Sequence, residues 1–213
     1  MHMQNRSTVD KFIAEFDTGL RTLLAKPHSR RPHPDLDIAD AALSAVEKKQ
    51  AAALMRINHT GEVCAQALYS GQALTSKHAD ITTALKQAAQ EETEHLAWCE
   101  TRIGQLGGRT SLLNPVFYAA SFTMGVIAGA FGDQWNLGFL AETEKQVGAH
   151  LSSHLEKLPL ADQKTRAIIA QMQLDEAKHE DQAIAHGAAE LPTAAKFLMQ
   201  KVSKLMTAAA YRL

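Results

Sequence analysis

Residues 92–95 read Glu92-Thr93-Glu94-His95, and residues 176–179 read Glu176-Ala177-Lys178-His179. Each segment places a glutamate three residues before a histidine. Both segments lie in stretches rich in Ala, Leu, Glu, Gln and Lys, which favour helices. Residues three apart share one face of a helix, so the carboxylate and the imidazole of each pair can reach a common point. Each segment therefore offers two ligand groups to one metal ion.

A further glutamate precedes each pair by about the length of one helix. Glu62 stands 30 residues before Glu92, and Glu144 stands 32 residues before Glu176. In an antiparallel helix pair, each of these glutamates would lie near the Glu-x-x-His of its neighbour. Two such helix pairs form a four-helix bundle whose core receives four carboxylates and two imidazoles. This is the ligand set of ferritin-like di-iron and di-manganese carboxylate proteins.

Spacing alone leaves two of these positions open. Glu91 and Glu94 flank Glu92, and Glu91 lies four residues before His95, so helical phase also permits Glu91. The equal spacing of the second pair favours Glu92. Glu142 competes with Glu144 in the same way.

Electrostatics favours metal at this cluster. Four ionised carboxylates in an apolar bundle would be very costly without partners. Two divalent cations balance the four negative charges when both imidazoles are neutral. Carboxylate and imidazole ligands suit Fe or Mn, whereas structural zinc sites usually contain thiolates, and the sequence has no Cys-x-x-Cys. We therefore predict a dinuclear site.

The Gly and Pro positions divide the chain into helices, and no alternating Val/Ile/Thr-rich run indicates a sheet. The predicted helices cover about 8–26, 44–74, 76–106, 115–132, 133–158, 161–187 and 192–213. Ser44 and Glu47 fit a capping box, and Asp133 is predicted to cap its own helix. Gly107 suits a left-handed helix end. The predicted fold is all-α, a ferritin-like four-helix bundle with an additional apolar helix and a C-terminal amphipathic helix.

Composition narrows the class of protein. The 213 residues suit one domain, with an N-terminal helix and Pro-containing linker over 1–40 and a helical domain over 41–213. Lys and Arg number 22 against 23 Asp and Glu, which argues against a nucleic-acid partner. Two cysteines, Cys64 and Cys99, are too few for a disulfide framework and indicate a reducing compartment. The N-terminal residues predict neither a secretory signal nor a transit peptide.

Two segments indicate contact with a membrane. Residues 110–132 contain no charged side chain over 23 positions. A spanning helix there would separate the two Glu/His groups, so we expect an apolar helix that lies on the bilayer or in a partner. Its Gly125 and Gly129 favour close helix packing, although small residues are common in Ala-rich helices. The last helix carries Lys196, Lys201 and Lys204, which suit either an anionic membrane surface or ordinary docking on the bundle.

The residues quoted above also resemble a known family. Residues 55–69 read Met-Arg-Ile-Asn-His-Thr-Gly-Glu-Val-Cys-Ala-Gln-Ala-Leu-Tyr, and the resemblance includes 92–96, Glu144 with His150, 175–179 and 211–213. From about Leu54 onward, the chain resembles the demethoxyubiquinone hydroxylases. The resemblance implies that Glu92 and Glu176 bridge two irons. Its full implied ligand set is Glu62, Glu92 and His95 for one iron, and Glu144, Glu176 and His179 for the other.

The resemblance implies a specific reaction. A di-iron monooxygenase of this family uses O2 to hydroxylate the ring of a polyprenylated demethoxy-ubiquinol, late in ubiquinone biosynthesis. It implies two Fe ions, an external reductant for which NADH is a candidate, and a peripheral position on the cytoplasmic face of a bacterial cell membrane. Other ubiquinone-biosynthesis proteins are candidate partners. The alternatives are a ferritin-like ferroxidase or iron-handling protein and a non-enzymatic helical membrane adaptor.

Several neighbouring residues have two interpretations each. His59 shares a face with Glu62 and either supports a ligand or lies on the helix surface. Asp175 either orients a ligand imidazole or is exposed. His150 is predicted to be a pocket residue next to the site rather than a ligand. Three aromatic residues are assigned to the core or to interfaces rather than to chemistry: Tyr69, Trp98 and Trp135.

Overall fold

The computed structural model describes residues 8–213, and that part of the chain contains helices and no strand. The helices are α1 (Thr8–Leu24), α2 (Ala45–Thr75), α3 (Ala79–Gln105), α4 (Asn114–Ala130), α5 (Asp133–Lys157), α6 (Gln163–Ala185) and α7 (Thr193–Arg212). The all-α prediction is confirmed, and the helix ends agree with those predicted to within one turn. The predicted N-terminal segment also includes residues 1–7, which lie outside the described residues.

Helices α2, α3, α5 and α6 form the four-helix bundle, with α2 paired to α3 and α5 paired to α6. One apolar cluster at one end of the bundle includes Met55, Ile103 and Met172. A second cluster includes Leu68 and Leu140. The polar side chains of the middle layer lie between them along each helix. This arrangement surrounds the predicted site with apolar side chains that exclude water.

The helix ends follow from local chemistry, with one correction. Ser44 and Glu47 form the predicted capping box, and Gly107 has the positive φ of 75° expected at a left-handed helix end. The prediction that Asp133 caps α5 is wrong. Gly132 takes the cap position with a φ of 107°, which makes Asp133 the first helical residue. The Asp133 carboxylate instead accepts hydrogen bonds across the α2–α3 turn, including one from His78 N at 3.1 Å.

Helices α2 and α4 cross with their backbones in contact. A Cβ atom on Gly125 would lie 2.1 Å from the carbonyl oxygen of Leu68, and one on Gly71 would lie 2.3 Å from that of Phe122. A Cβ atom on Gly129 would lie 2.1 Å from the side-chain oxygen of Thr75 and 3.0 Å from the backbone carbonyl oxygen of Gln72. The interpretation that the glycines of the apolar segment serve close helix packing is therefore confirmed. Within residues 8–213, no helix combines the length and the apolar character needed to cross a membrane.

Two outer helices leave apolar side chains exposed. Helix α1 exposes Phe12 and Phe16, each at 61%. Helix α7 exposes Phe197 and Leu205, while its buried Ala210 and its last turn dock near Arg56 of α2. The C-terminal helix therefore docks on the bundle and still presents an apolar row to the outside.

The N-terminal segment also contacts the bundle. The Thr22 hydroxyl of α1 hydrogen-bonds the Gln66 side chain of α2, and the Trp98 indole N–H of α3 donates to Ser29 Oγ at 3.1 Å. A boundary between two domains near residue 40 stays a prediction.

Candidate metal centre

Six side chains converge in the middle layer of the bundle, and none is more than 3% exposed. Helices α2 and α5 each contribute one glutamate, and α3 and α6 each contribute a glutamate and a histidine three residues later. They are Glu62, Glu92, His95, Glu144, Glu176 and His179. The structure thus brings together all six residues that the sequence singled out.

The six side chains form two overlapping groups. In one, ligand atoms of Glu62, Glu92, His95 and Glu176 all lie within 4.8 Å of one another. In the other, the same holds for Glu92, Glu144, Glu176 and His179. Glu92 and Glu176 belong to both groups, and these are the two carboxylates for which the resemblance implied a bridging role.

Both imidazoles turn the same nitrogen toward the cluster. His95 Nδ1 lies 2.9 Å from Glu92 Oε2 and 3.5 Å from Glu176 Oε1. His179 Nδ1 lies 3.4 Å from Glu92 Oε1 and 3.4 Å from Glu176 Oε2. In both rings, Nε2 faces a carboxylate outside this set. A proton held on Nε2 leaves the Nδ1 lone pair available to a metal ion.

The outer carboxylates are arranged crosswise. His95 Nε2 of α3 lies 3.0 Å from Asp175 Oδ2 of α6, and His179 Nε2 of α6 lies 2.9 Å from Glu91 Oε2 of α3. On each helix, the residue before the shared glutamate therefore meets the histidine of the other helix. The structure separates the roles of Glu91 and Glu92 in this way. The paired acidic doublets at 91–92 and 175–176 were the sequence signal for this role of Glu91.

Four buried atoms of the cluster fit a metal pair. Among residues 8–213, no hydrogen-bond partner is present for Glu92 Oε1, for either oxygen of Glu176 or for His179 Nδ1. Leaving such atoms buried without partners is expensive. Two divalent cations between the shared carboxylates would supply the missing partners and balance the charge.

Without metal, bound protons balance the negative charge of the cluster, and the pKa values show which groups hold them. Burial raises the pKa of Glu62 and of Glu144, and the charges of neighbouring glutamates raise both further. Burial alone would lower the pKa of His179, but the adjacent carboxylates of Glu176 and Glu92 raise it to about 12. The pKa of His95 is likewise raised against the effect of burial, mainly by the charge of Glu92. Metal binding therefore has to displace protons.

Tyr69 lies closer to the cluster than the sequence indicated. It is completely buried, as a core residue should be, but its hydroxyl donates a hydrogen bond to Glu144 Oε1. Tyr69 lies seven residues after Glu62, which is two helical turns and hence the same face of α2. That spacing was the signal that could have identified this contact.

Four further candidate residues from the sequence lie outside the six-residue set. Asp175 holds His95, as described above. His59 is 5% exposed and lies with Nδ1 3.4 Å from Asn114 Nδ2 of α4, so the surface interpretation is wrong. The His150 ring packs 4.1 Å from that of His154, further along α5. Glu142 faces α7, where its carboxylate lies 3.8 Å from Lys196 Nζ.

Comparison with known proteins identifies the family. The family model described as "Ubiquinone biosynthesis protein COQ7" matches residues 49–210, which include all six side chains of the cluster. The chain belongs to the COQ7 family. A 3-demethoxyubiquinol 3-hydroxylase of Chromobacterium violaceum is 61% identical over 204 residues, covering 96% of this chain and 99% of the relative. One of Nitrosomonas europaea is 57% identical over 203 residues, covering 95% and 98%.

These alignments extend beyond the bundle. One with the 3-demethoxyubiquinol 3-hydroxylase of Polynucleobacter asymbioticus covers 97% of this chain at 52% identity. Matches of this length include α1 and the linker that follows it. The N-terminal segment, where the sequence showed a weaker resemblance, is therefore shared with other COQ7 proteins.

Proposed function

We propose that the protein is a 3-demethoxyubiquinol 3-hydroxylase that uses a pair of iron ions and O2. It would insert one oxygen atom into a ring C–H bond of a polyprenylated demethoxy-ubiquinol, 2-polyprenyl-3-methyl-6-methoxy-1,4-benzoquinol. The observation that carries the proposal is the pair of buried groups sharing Glu92 and Glu176. The printed names of the relatives, which cover nearly the whole chain, support the reaction.

Each ion would have two ligands of its own and would share two further ligands with the other ion. Glu62 and His95 would hold one ion, Glu144 and His179 the other, and the two shared glutamates would hold both. When bound, the iron pair supplies the site and the electrons for O2 activation. The two outer carboxylates, Asp175 and Glu91, orient the imidazoles through their Nε2–H groups.

The surroundings of the cluster control water and protons. The two apolar clusters of the bundle keep bulk water away from the reacting atoms, which strengthens each electrostatic interaction there. Tyr69 holds its phenolic proton against Glu144 Oε1. A protonated group next to a buried carboxylate is a local proton source when charge on that carboxylate changes.

The reaction needs an external supply of electrons. Insertion of one atom of O2 into a C–H bond leaves the second atom as water, which requires two electrons and two protons. The sequence has no dinucleotide-binding Gly-x-Gly-x-x-Gly after a strand, so a reductant such as NADH would have to act from outside. The quinol itself is the alternative electron source.

The substrate class suggests where the protein works. A polyprenyl tail partitions into a bilayer, and α1, α4 and α7 all expose large apolar side chains. A cavity of about 20 Å³ between α3, α5 and α6, lined by residues such as Leu85 and Leu140, reaches His179 and would have to widen to admit a quinol ring. We place the protein peripherally on the cytoplasmic face of a bacterial cell membrane, in reach of other ubiquinone-biosynthesis proteins.

Labelled oxygen tests the reaction directly. The iron-loaded, chemically reduced protein is mixed with isotopically labelled O2 and a short-tailed demethoxy-quinol, and the product is analysed by mass spectrometry. We expect one labelled oxygen atom in the quinol ring. Iron oxidation without labelled quinol would favour a ferroxidase, and failure of the protein to take up iron during loading would favour an adaptor.

Glu176→Gln tests the site in the same assay. The variant removes the charge of a shared carboxylate and is expected to reduce hydroxylation by about 100-fold or more, since even an outer partner of a metal ligand contributes about 10–100-fold. The matched control is Asp181→Asn, which removes an exposed acid from the same helix. Full activity in Glu176→Gln with unchanged helical content would contradict the assignment.

A further inference from the structure

The two outer carboxylates of the metal centre are held by different parts of the chain. Glu91 is supported within α3 and α6, by Gln87 Nε2 at 3.2 Å and by Lys178 Nζ at 3.7 Å. Asp175 receives a matching hydrogen bond within α6, from Gln171 Nε2 at 3.2 Å, and is supported in addition from outside the bundle, by Arg31 of the segment between α1 and α2. The Asp175 side chain is 8% exposed and that of Glu91 is 20% exposed. The centre is therefore asymmetric beyond its ligands.

The Arg31 guanidinium donates two parallel hydrogen bonds to the Asp175 carboxylate. Its Nη1 donates to Oδ1 at 3.1 Å and its Nη2 donates to Oδ2 at 2.8 Å. The same Oδ2 lies 3.0 Å from His95 Nε2. This planar two-point contact fixes the orientation of the carboxylate, and so fixes the direction in which Oδ2 meets the imidazole.

Other contacts hold Arg31 itself in place. Its Nε donates to Glu94, and its Cζ lies 4.8 Å from the centre of the Trp98 ring. Trp98 in turn donates its indole N–H to Ser29 Oγ at 3.1 Å. The backbone N–H of Arg30 also donates to Glu94, at 3.3 Å. A guanidinium fixed on these sides is preorganised, so little rotamer freedom is lost when it binds Asp175.

We propose that Arg31 is a positioning residue for the metal position at His95. It acts through Asp175, which keeps the proton of His95 on Nε2 and presents Nδ1 to the ion. The inference rests on the metal centre of the proposed function, but not on the identity of the substrate. It means that a loop residue, 144 positions away from its partner in sequence, tunes one of the two ions.

The proposal predicts a selective change in metal affinity. The full-length, metal-free protein is titrated with Co2+ in competition with a chelator, and the two dissociation constants and the visible absorption of bound Co2+ are recorded. We expect two ions in the wild-type protein. In Arg31→Gln, one ion should bind about tenfold more weakly, the lower end of the effect of losing the outer partner itself, with a changed absorption spectrum. The other ion should keep its affinity.

Two variants provide matched comparisons. Arg30→Gln removes the same charge from the same segment, but its side chain is exposed, and both Co2+ affinities should stay as in the wild-type protein. Arg31→Lys keeps the charge without the two-point geometry and should restore only part of the affinity. A simple charge effect would instead give full recovery in Arg31→Lys and a loss in Arg30→Gln, which would overturn the proposal.

A double variant identifies which ion is affected. Glu91→Gln should weaken the ion at His179, and the combination with Arg31→Gln should weaken both ions. If Glu91→Gln alone weakens one ion and the double variant still keeps one ion at wild-type affinity, both residues act on the same ion and the proposal is wrong.

Three further results would overturn the inference. The first is unchanged affinity for both Co2+ ions in Arg31→Gln. The second is a loss of Co2+ affinity that is equal at the two metal positions, in Arg31→Gln and in Arg31→Lys. The third is a wild-type protein that does not bind two ions. The labelled-oxygen assay separates these from a failure of the proposed function. A wild-type protein that binds two ions and gives no labelled quinol would contradict the reaction, while the titration would still decide the role of Arg31.

Discussion

At the scale of single residues, the cluster depends on which atom of each side chain faces inward. The spacing of Glu92 to His95 and of Glu176 to His179 predicted that each pair shares a face, but spacing carries no information on ring orientation. The two Nδ1 atoms face the cluster because Asp175 and Glu91 occupy the space beside each Nε2. Asp175 was a candidate for this role, but periodicity within one helix does not show which imidazole of another helix a carboxylate meets.

His59 is a residue whose burial has a measurable consequence. Burial lowers its pKa from 6.5 to about 4, because the folded protein offers the charged imidazole little solvation. Well above pH 6.5 neither state carries the proton, so His59 contributes no pH dependence there. Below that pH the unfolded chain takes up a proton that the folded protein resists. The free energy of unfolding should therefore fall as the pH drops from 6.5 to 4, by about 3 kcal/mol from this group.

His59→Gln isolates this contribution. Urea unfolding is measured for the variant and the wild-type protein at several values between pH 7 and pH 4. The variant should lose about 3 kcal/mol less over this interval, whatever its stability at pH 7. His28→Gln, at an exposed position, is the control and should follow the wild-type curve. Parallel curves for His59→Gln and the wild-type protein would contradict the burial argument.

At the scale of helices, the sequence predicted a helix end correctly where the residue at that end makes only local contacts. The capping box of Ser44 and the left-handed Gly107 are local features, and both were predicted. The role of Asp133 was missed because its carboxylate bonds to a turn 55 residues earlier in the chain, at His78. A cap that joins two helices depends on their packing and has no signature in either helix alone.

The crossing of α2 and α4 provides a test at this scale. Gly125→Ala would place a methyl group 2.1 Å from the Leu68 carbonyl oxygen, so the two helices would have to separate. We expect a loss of about 1–3 kcal/mol in the free energy of unfolding, as for other overpacked cores. Urea unfolding monitored by circular dichroism measures it.

Gly148→Ala is the matched control. A Cβ atom there would meet no heavy atom within 4 Å, and the residue lies inside α5. Because alanine favours a helix more than glycine does, this variant should gain up to about 1 kcal/mol. If Gly125→Ala were as stable as Gly148→Ala, the close backbone contact would be refuted.

At the scale of the whole molecule, the spacing of the six ligand residues in the sequence predicted the four-helix bundle. Which apolar side chains stay exposed on its surface was harder to predict. The sequence indicated a bilayer or a partner for the apolar segment, and either an anionic membrane surface or docking on the bundle for α7. An amphipathic helix was predicted for α1, but the exposure of its apolar row was not, because only the packing of α1 on α2 and α4 shows which face stays outside.

Vesicle binding tests this surface. The double variant Phe12→Ser/Phe16→Ser removes two side chains that are each 61% exposed. Burial of one such side chain contributes about 1.5–3 kcal/mol, so co-sedimentation with anionic vesicles should weaken by at least about tenfold. Leu174→Ser on α6, exposed at 67%, should bind as the wild-type protein does. Equal binding by the double variant and the wild-type protein would exclude α1 from the contact.

The central claim is that one pair of ions lies among six side chains from four helices. Crystals of the iron-loaded protein, measured at the iron absorption edge, locate bound ions independently of any activity. We predict two anomalous peaks between Glu92 and Glu176, one next to His95 Nδ1 and the other next to His179 Nδ1. A single peak, a peak at an Nε2 atom or no peak within this cluster would contradict the account.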